Sequence, residues 1–212
     1  DKLFGYMRKY GWIAVLAVLL IVGGTTYSEL RKAQITSAAQ AAGDEILAAL
    51  EIDDDEGRAA ALHAIDVSGP AAAITGLLTA ANLTETNDIA GAAGALEAVA
   101  LDADVPQVYR DLAVLKSVMV QGDTLSIEER RALLAGLAMA GGSFRVLAQE
   151  RLALISVEAG DIDTAMTQFV ALAQDAEATR GLRERAFSMI VALGGDIDAL
   201  VGNIAATDAQ DN

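Results

Sequence analysis

The sequence predicts an all-α chain: a single N-terminal transmembrane helix followed by an α–α superhelix of about five helical hairpins. Three observations carry this. Alanine, the best helix former and a poor strand residue, occupies 44 of 212 positions. An uncharged run from Tyr10 to Ser28 lies between two basic clusters. Downstream of it, two independent sets of residues recur at about 35 positions.

The first element is the uncharged run. Its apolar centre is Trp12 to Val22, with Tyr6, Tyr10 and Trp12 at one end and Tyr27 at the other. At about 1.5 Å per residue such a helix is close to 30 Å long, the thickness of one bilayer core. Rings at both ends suit the two membrane interfaces, so Tyr10, Trp12 and Tyr27 are the expected anchor residues. A buried core helix would leave the flanking Lys and Arg residues unexplained. A cleavable signal peptide would need a small-x-small cleavage site after Val22, and none is convincing. Residues 10–28 are therefore expected to be an uncleaved anchor in contact with membrane lipid.

Charge divides along the same line. The chain has a formal charge of −15, split into +3 over residues 1–32 and −18 over the remainder. Lys2, Arg8 and Lys9 precede the run, while Arg31 and Lys32 follow it. Because Lys and Arg are retained on the cytoplasmic side, residues 1–9 are expected to be a cytoplasmic flank, with about 180 residues delivered across the membrane. The acidic excess argues against nucleic-acid binding, which depends on neutralising phosphates. The complete lack of Cys excludes disulfides and thiolate metal sites and fits an oxidising compartment without requiring one. A single His rules out a multi-histidine metal centre and leaves few general bases.

The repeats come next. Asp53-Asp54, Asn87-Asp88, Gly122-Asp123, Gly160-Asp161 and Gly195-Asp196 are separated by 34, 35, 38 and 35 residues. Thr75, Arg110, Arg145 and Arg180 keep a strict period of 35, with Leu77, Leu112, Leu147 and Leu182 two places on. A Gly or Asn that accepts the left-handed conformation ends one helix, and the Asp after it caps the next. Helices are expected at about 28–51, 54–66, 70–83, 87–100, 106–120, 126–140, 143–159, 161–176, 179–193 and 196–204. The expected apolar stripes include Leu112, Leu115 and Met119; Leu147, Leu154 and Val157; and Ala165, Phe169 and Leu172. Ser126 and Glu129 suit a capping box. Residues 29–204 thus form one repeat domain, and 205–212 an acidic tail.

Candidate sites are few. His63, beside Leu62 and Ile65, reads as a structural or half-exposed histidine. Asp53-Asp54-Asp55-Glu56 lacks the twelve-residue calcium loop and reads as helix-terminal capping. Asn82-Leu83-Thr84 matches a glycosylation sequon. No catalytic, cofactor or metal site is expected, and the chain is not expected to be an enzyme. The constellation that remains is Arg110, Arg145 and Arg180 with Tyr109 and Phe144. Equivalent positions of stacked repeats form a row, so these residues are either local ion-pair partners or a strip that binds acidic or carbonyl groups of another protein.

Gly160-Asp161 followed by Ala165 and Phe169 resembles the tetratricopeptide signature, and Asn87-Asp88, Ala92 and Leu96 match it more loosely; its usual Trp, Tyr and terminal Pro are missing. Three further stretches extend the likeness: Arg8-Lys9-Tyr10-Gly11-Trp12, Val108 to Ala113, and Ser143-Phe144-Arg145 through Asp161. With Arg180 to Ala186, they make nearly the whole chain resemble the YfgM-like tetratricopeptide-like family in its alphaproteobacterial form, ancillary subunits of the SecYEG translocon. That resemblance implies a single-pass inner-membrane protein with a periplasmic repeat domain. The implied partners are the translocon and periplasmic chaperones or client proteins. An alternative role is accessory subunit or assembly factor of another inner-membrane complex, such as a respiratory complex.

Overall fold

The computed structural model describes residues 29 and 31–196, and the chain divides into two compact units, Asp1–Asp53 and Asp54–Asn212. The expected anchor at 10–28, the helix at 196–204 beyond its first residue, and the acidic tail lie outside the described residues. Among the described residues no helix is long and apolar enough to cross a membrane, and there is no strand.

In the first unit, α1 covers residues 31–50. The second unit contains α2 (Asp55–Ala64), α3 (Pro70–Glu85), α4 (Ile89–Leu101), α5 (Gln107–Gln121), α6 (Ile127–Leu137), α7 (Arg145–Glu158), α8 (Ile162–Gln174) and α9 (Arg180–Ala192). From α2 to α9 each helix packs on its neighbours in sequence. Such a stack is a succession of helical hairpins, in which each repeat buries the face that the next one offers.

Turn chemistry explains the hairpins. Asn87 (φ 63°) and Gly160 (φ 76°) end α3 and α7 in the left-handed conformation, as their dipeptides predicted. The amides of Asp88 and Asp161 then reach back to the carbonyls of Leu83 and Ser156 at 2.8 and 2.9 Å. Their carboxylates turn forward and accept from the amides of Gly91 and Thr164. One Asp thus closes one helix and opens the next. Asp54 caps α2 in the same way, through the amide of Gly57.

Two turns depart from the expected pattern. Gly122 is left-handed, but a 3-10 turn over Gly122–Thr124 follows it, and α6 is capped by Ser126 through the expected box with Glu129. Three inserted residues account for the separation of 38. After α9 the left-handed position is Gly194 (φ 87°), one residue ahead of the Gly195-Asp196 marker.

The core forms three clusters, each shared by three consecutive helices. Ala73, Ala92, Leu96 and Ala113 join α3 to α5; Leu115, Leu134, Ala148 and Ile155 join α5 to α7; Phe169, Leu172, Leu182 and Ile190 join α8 and α9, with Ala153 of α7. The expected stripes shift on α5 and α7. Met119 and Leu147 are exposed, and the smaller residues one place away, Val118 and Ala148, are buried instead. Small side chains at the contact let these helices approach closely, so the larger neighbour is left outside.

Candidate functional site

The three arginines of the series make unlike contacts. Arg145 opens α7 and reaches the α8–α9 loop. Its side chain is 14% exposed, and Nη1 and Nη2 meet the Asp175 carboxylate at 2.6 and 2.9 Å. Glu177 accepts from Nε and Nη2, and Gln149 from Nη1, so all five guanidinium N–H groups are engaged. Hydrogen bonding from Arg145 holds the Asp175 carboxyl below its ordinary range. Arg180, 89% exposed at the start of α9, pairs with Glu184 one turn on. Arg110 is the fourth residue of α5; it hydrogen-bonds Gln107 and approaches the carbonyl of Asp102. Tyr109 and Phe144 are half-buried, each packed against a core cluster. Arg145 is thus a joint between repeats, whereas Arg110 and Arg180 retain outward-facing character.

Two further joints escaped the sequence reading. Glu150 of α7, with a side chain 9% exposed, receives Nε and Nη2 of Arg185 on α9 at 2.6 and 2.9 Å. Arg130 of α6 grips Glu158 at the end of α7. Glu150 and Arg185 stand 35 residues apart, so the period itself was the available signal. The α4–α5 and α8–α9 loops also share one construction: Asp102 and Asp175 each accept from the amide two residues on, at 2.8 Å.

Among the described residues no three His, Cys, Asp or Glu side chains are grouped to hold a metal ion. His63 is an exposed residue in the last turn of α2. Asn82 is buried in α3. With its amide oriented to satisfy both ends, it donates to the Asp55 carbonyl (2.7 Å) and accepts from Arg58 (2.9 Å). It is therefore a link between α2 and α3 rather than a modification site.

An open groove of about 840 Å³ runs between α2 and α4, with α3 beneath. Thr75 and Thr79 are its buried floor, and Gly94 and Ala98 are exposed along its α4 wall. Thr75 satisfies its hydroxyl on the carbonyls of Ala71 and Ala72, whereas the buried Thr79 hydroxyl has no hydrogen-bond partner among the described residues. Among the described residues no Lys or Arg lines the groove, while Glu56, Asp88 and Asp102 do. Volume and apolar lining are those of a ligand-sized cleft.

Comparison with protein families matches residues 5–189 to the tetratricopeptide repeat-like domain. The chain belongs to that family. Neither the curated proteins nor the solved structures give a match to it. In this tetratricopeptide repeat-like chain the two signature pairs are buried as the family's packing demands: Ala92 with Leu96, and Ala165 with Phe169. Repeats of this kind mediate protein–protein interaction, so an interaction scaffold is the function class that the fold supports.

Proposed function

We propose that the chain is a membrane-anchored scaffold of the bacterial inner membrane, tethered by residues 10–28, with its N-terminus cytoplasmic and its repeats periplasmic. It binds rather than converts. The repeats hold an envelope chaperone or client protein, and the anchor holds them beside the SecYEG translocon. The observation that supports this reading most is the extent of the family match. It begins at residue 5, so the apolar run and the repeats fall within one family unit. Arg110, Arg180 and Tyr109 are candidate contact residues on the repeats, because Arg145 has spent its donors internally. Tethering makes the second encounter intramolecular, so a modest affinity at the repeat surface suffices.

Mild detergent extraction followed by identification of co-purifying proteins tests this reading. Recovery of the translocon channel with a soluble envelope protein is the expected result. Recovery of a respiratory complex instead would replace the machine while keeping the scaffold. A chain that extracts alone would remove both.

A further inference from the structure

We infer that the groove between α2 and α4 receives an apolar helix of a partner protein that carries Lys or Arg at one end. This inference rests on the scaffold reading and supplies the chemistry of the partner.

An internal comparison shows that the groove is a local departure from the repeat. Helices α4 and α8 are both 13 residues long, both capped by an Asp, and 73 residues apart throughout. Their buried positions correspond, Ala92 to Ala165 and Leu96 to Phe169. Their outer positions do not. Where α8 has Thr164, Thr167 and Gln168, α4 has Gly91, Gly94 and Ala95. With Ala98, which α8 matches with Ala171, these positions follow i, i+3, i+4, i+7 spacing; the Asp88 cap fills the space beside Gly91, and Gly94 is the open position. A Cβ built on Gly94 meets nothing within 4 Å. The opposite wall repeats the spacing with Glu56, Ala59, Ala60 and His63 of α2. A trough walled by two such faces suits a helix, whose docking residues have the same spacing. At a diameter near 10 Å and 1.5 Å rise per residue, 840 Å³ corresponds to roughly two helical turns.

Charge selects the occupant. From Asp54 to Asp104 the chain carries nine carboxylates against Arg58 and His63, with no Lys. The link from Asn82 to Asp55 brings the start of α2 beside the end of α3, where α4 also begins. Glu56 and Asp88 line that end of the groove, and Asp54, Asp55 and Glu85 belong to the same helix termini. Arg58 is the cation beside them within α2–α4, and its guanidinium is shared with Asp55 and Asn82. At the other end Arg110 approaches the Asp102 carbonyl from α5. Two lining carboxylates, Glu56 and Asp88, stand at the α2 start against one, Asp102, at the other end, so the occupant's basic residue belongs at the α2 start. Such complementarity acts on specificity and on the rate of encounter.

The test uses the full chain in detergent and a fluorescent 14-residue Ala/Leu helical peptide. The peptide carries two Lys at one end, two Glu at that end, or the Lys pair with its Leu spacing scrambled. Tight binding of the Lys peptide, at least tenfold stronger than either other peptide, is expected. Gly94→Leu fills the groove at an unobstructed helical position and should weaken binding at least tenfold. Gly136→Leu, an equally unobstructed position on α6, should leave it unchanged. Glu56→Lys should reverse the preference between the Lys and Glu peptides. Equal binding of all three peptides, or a Gly94→Leu variant that binds like wild type, overturns the inference.

Because the chain has no Cys, Gly94→Cys carries a single crosslinker in intact membranes. An adduct with another protein's basic-ended apolar segment supports the inference. A dimer, or an intramolecular adduct with residues 1–28, overturns it in favour of a second copy or the chain's own N-terminal segment. If partner capture by the repeats persists unchanged in Gly94→Leu membranes, the groove is refuted and the scaffold stands. If the repeats capture nothing at any position, the scaffold itself fails.

Discussion

At the scale of single residues, the ion pairs between repeats are unequal in what each partner risks. The Glu150 carboxylate is nearly buried, whereas Arg185 is 57% exposed. Removing the arginine strands a carboxylate away from water; removing the carboxylate returns a guanidinium to solvent. Arg185→Ala should therefore cost about 2 kcal/mol of unfolding stability. Glu150→Gln, which keeps an acceptor, should cost less than half as much in the same urea titration. A second consequence concerns acid. Asp175, Glu158, Glu129 and Asp161 are all held below their ordinary carboxyl range, by Arg145, Arg130, Ser126 and Thr164 respectively. A depressed folded value means stability that is fully present above the unfolded value, near pH 4, and is lost as pH falls through the folded one. The thermal midpoint should stay level from pH 7 to about pH 5 and fall below about pH 4. In Arg145→Met that acid loss should be smaller, because Asp175 then keeps only the backbone amides of Glu177 and Ala178 to hold it down.

At the scale of elements, two helical glycines separate packing from propensity. A Cβ on Gly76 of α3 would stand 2.3 Å from Cγ2 of Val99 on α4, while one on Gly94 meets open space. Gly94→Ala should raise stability by up to about 1 kcal/mol through helix propensity alone. Gly76→Ala gains the same propensity but forces α3 and α4 apart, so it should lose roughly 1 kcal/mol or more. Thermal melts of the two variants should move in opposite directions. The contrast also marks what the sequence could reveal. The hairpin turns were legible because Asn87 and Gly160 serve a conformation few residues tolerate, and the following Asp has one local task. The 3-10 insertion was legible only as a spacing of 38, and the shift to Gly194 was not, since two adjacent glycines offer equal freedom. Gly76 gave no local sign of its role, because its constraint comes from a helix 23 residues away. The groove was hidden for the same reason: the alanines and glycines of its α4 wall read along one helix as packing, and only the neighbouring helices show that Gly94 and Ala98 stay exposed.

At the scale of the whole molecule, the described helices pack in sequence, so stability is a sum of local interfaces rather than one shared core. Those interfaces differ. The stack of α7, α8 and α9 buries Phe169, Leu182 and Ile190 and is tied by Arg145 and by Glu150 with Arg185. The stack of α2, α3 and α4 buries Leu62, Leu96 and Val99 among many alanines, and it leaves a groove open between α2 and α4. Amide hydrogen exchange should therefore be slowest in α7–α9 and measurably faster in α2–α4. Low local stability at the groove is compatible with a segment that closes around a partner. The charge split of the sequence also gains meaning at this scale, with the acidic excess carried by repeats whose groove has no Lys or Arg lining among the described residues.

Photocrosslinking in intact membranes, with probes at Trp12 and Tyr109, tests the central claim that a tethered repeat scaffold holds a partner beside a membrane machine. The account predicts adducts with translocon channel subunits from position 12 and with a soluble envelope protein from position 109. Adducts with lipid alone at position 12, together with no protein adduct at position 109, would contradict it.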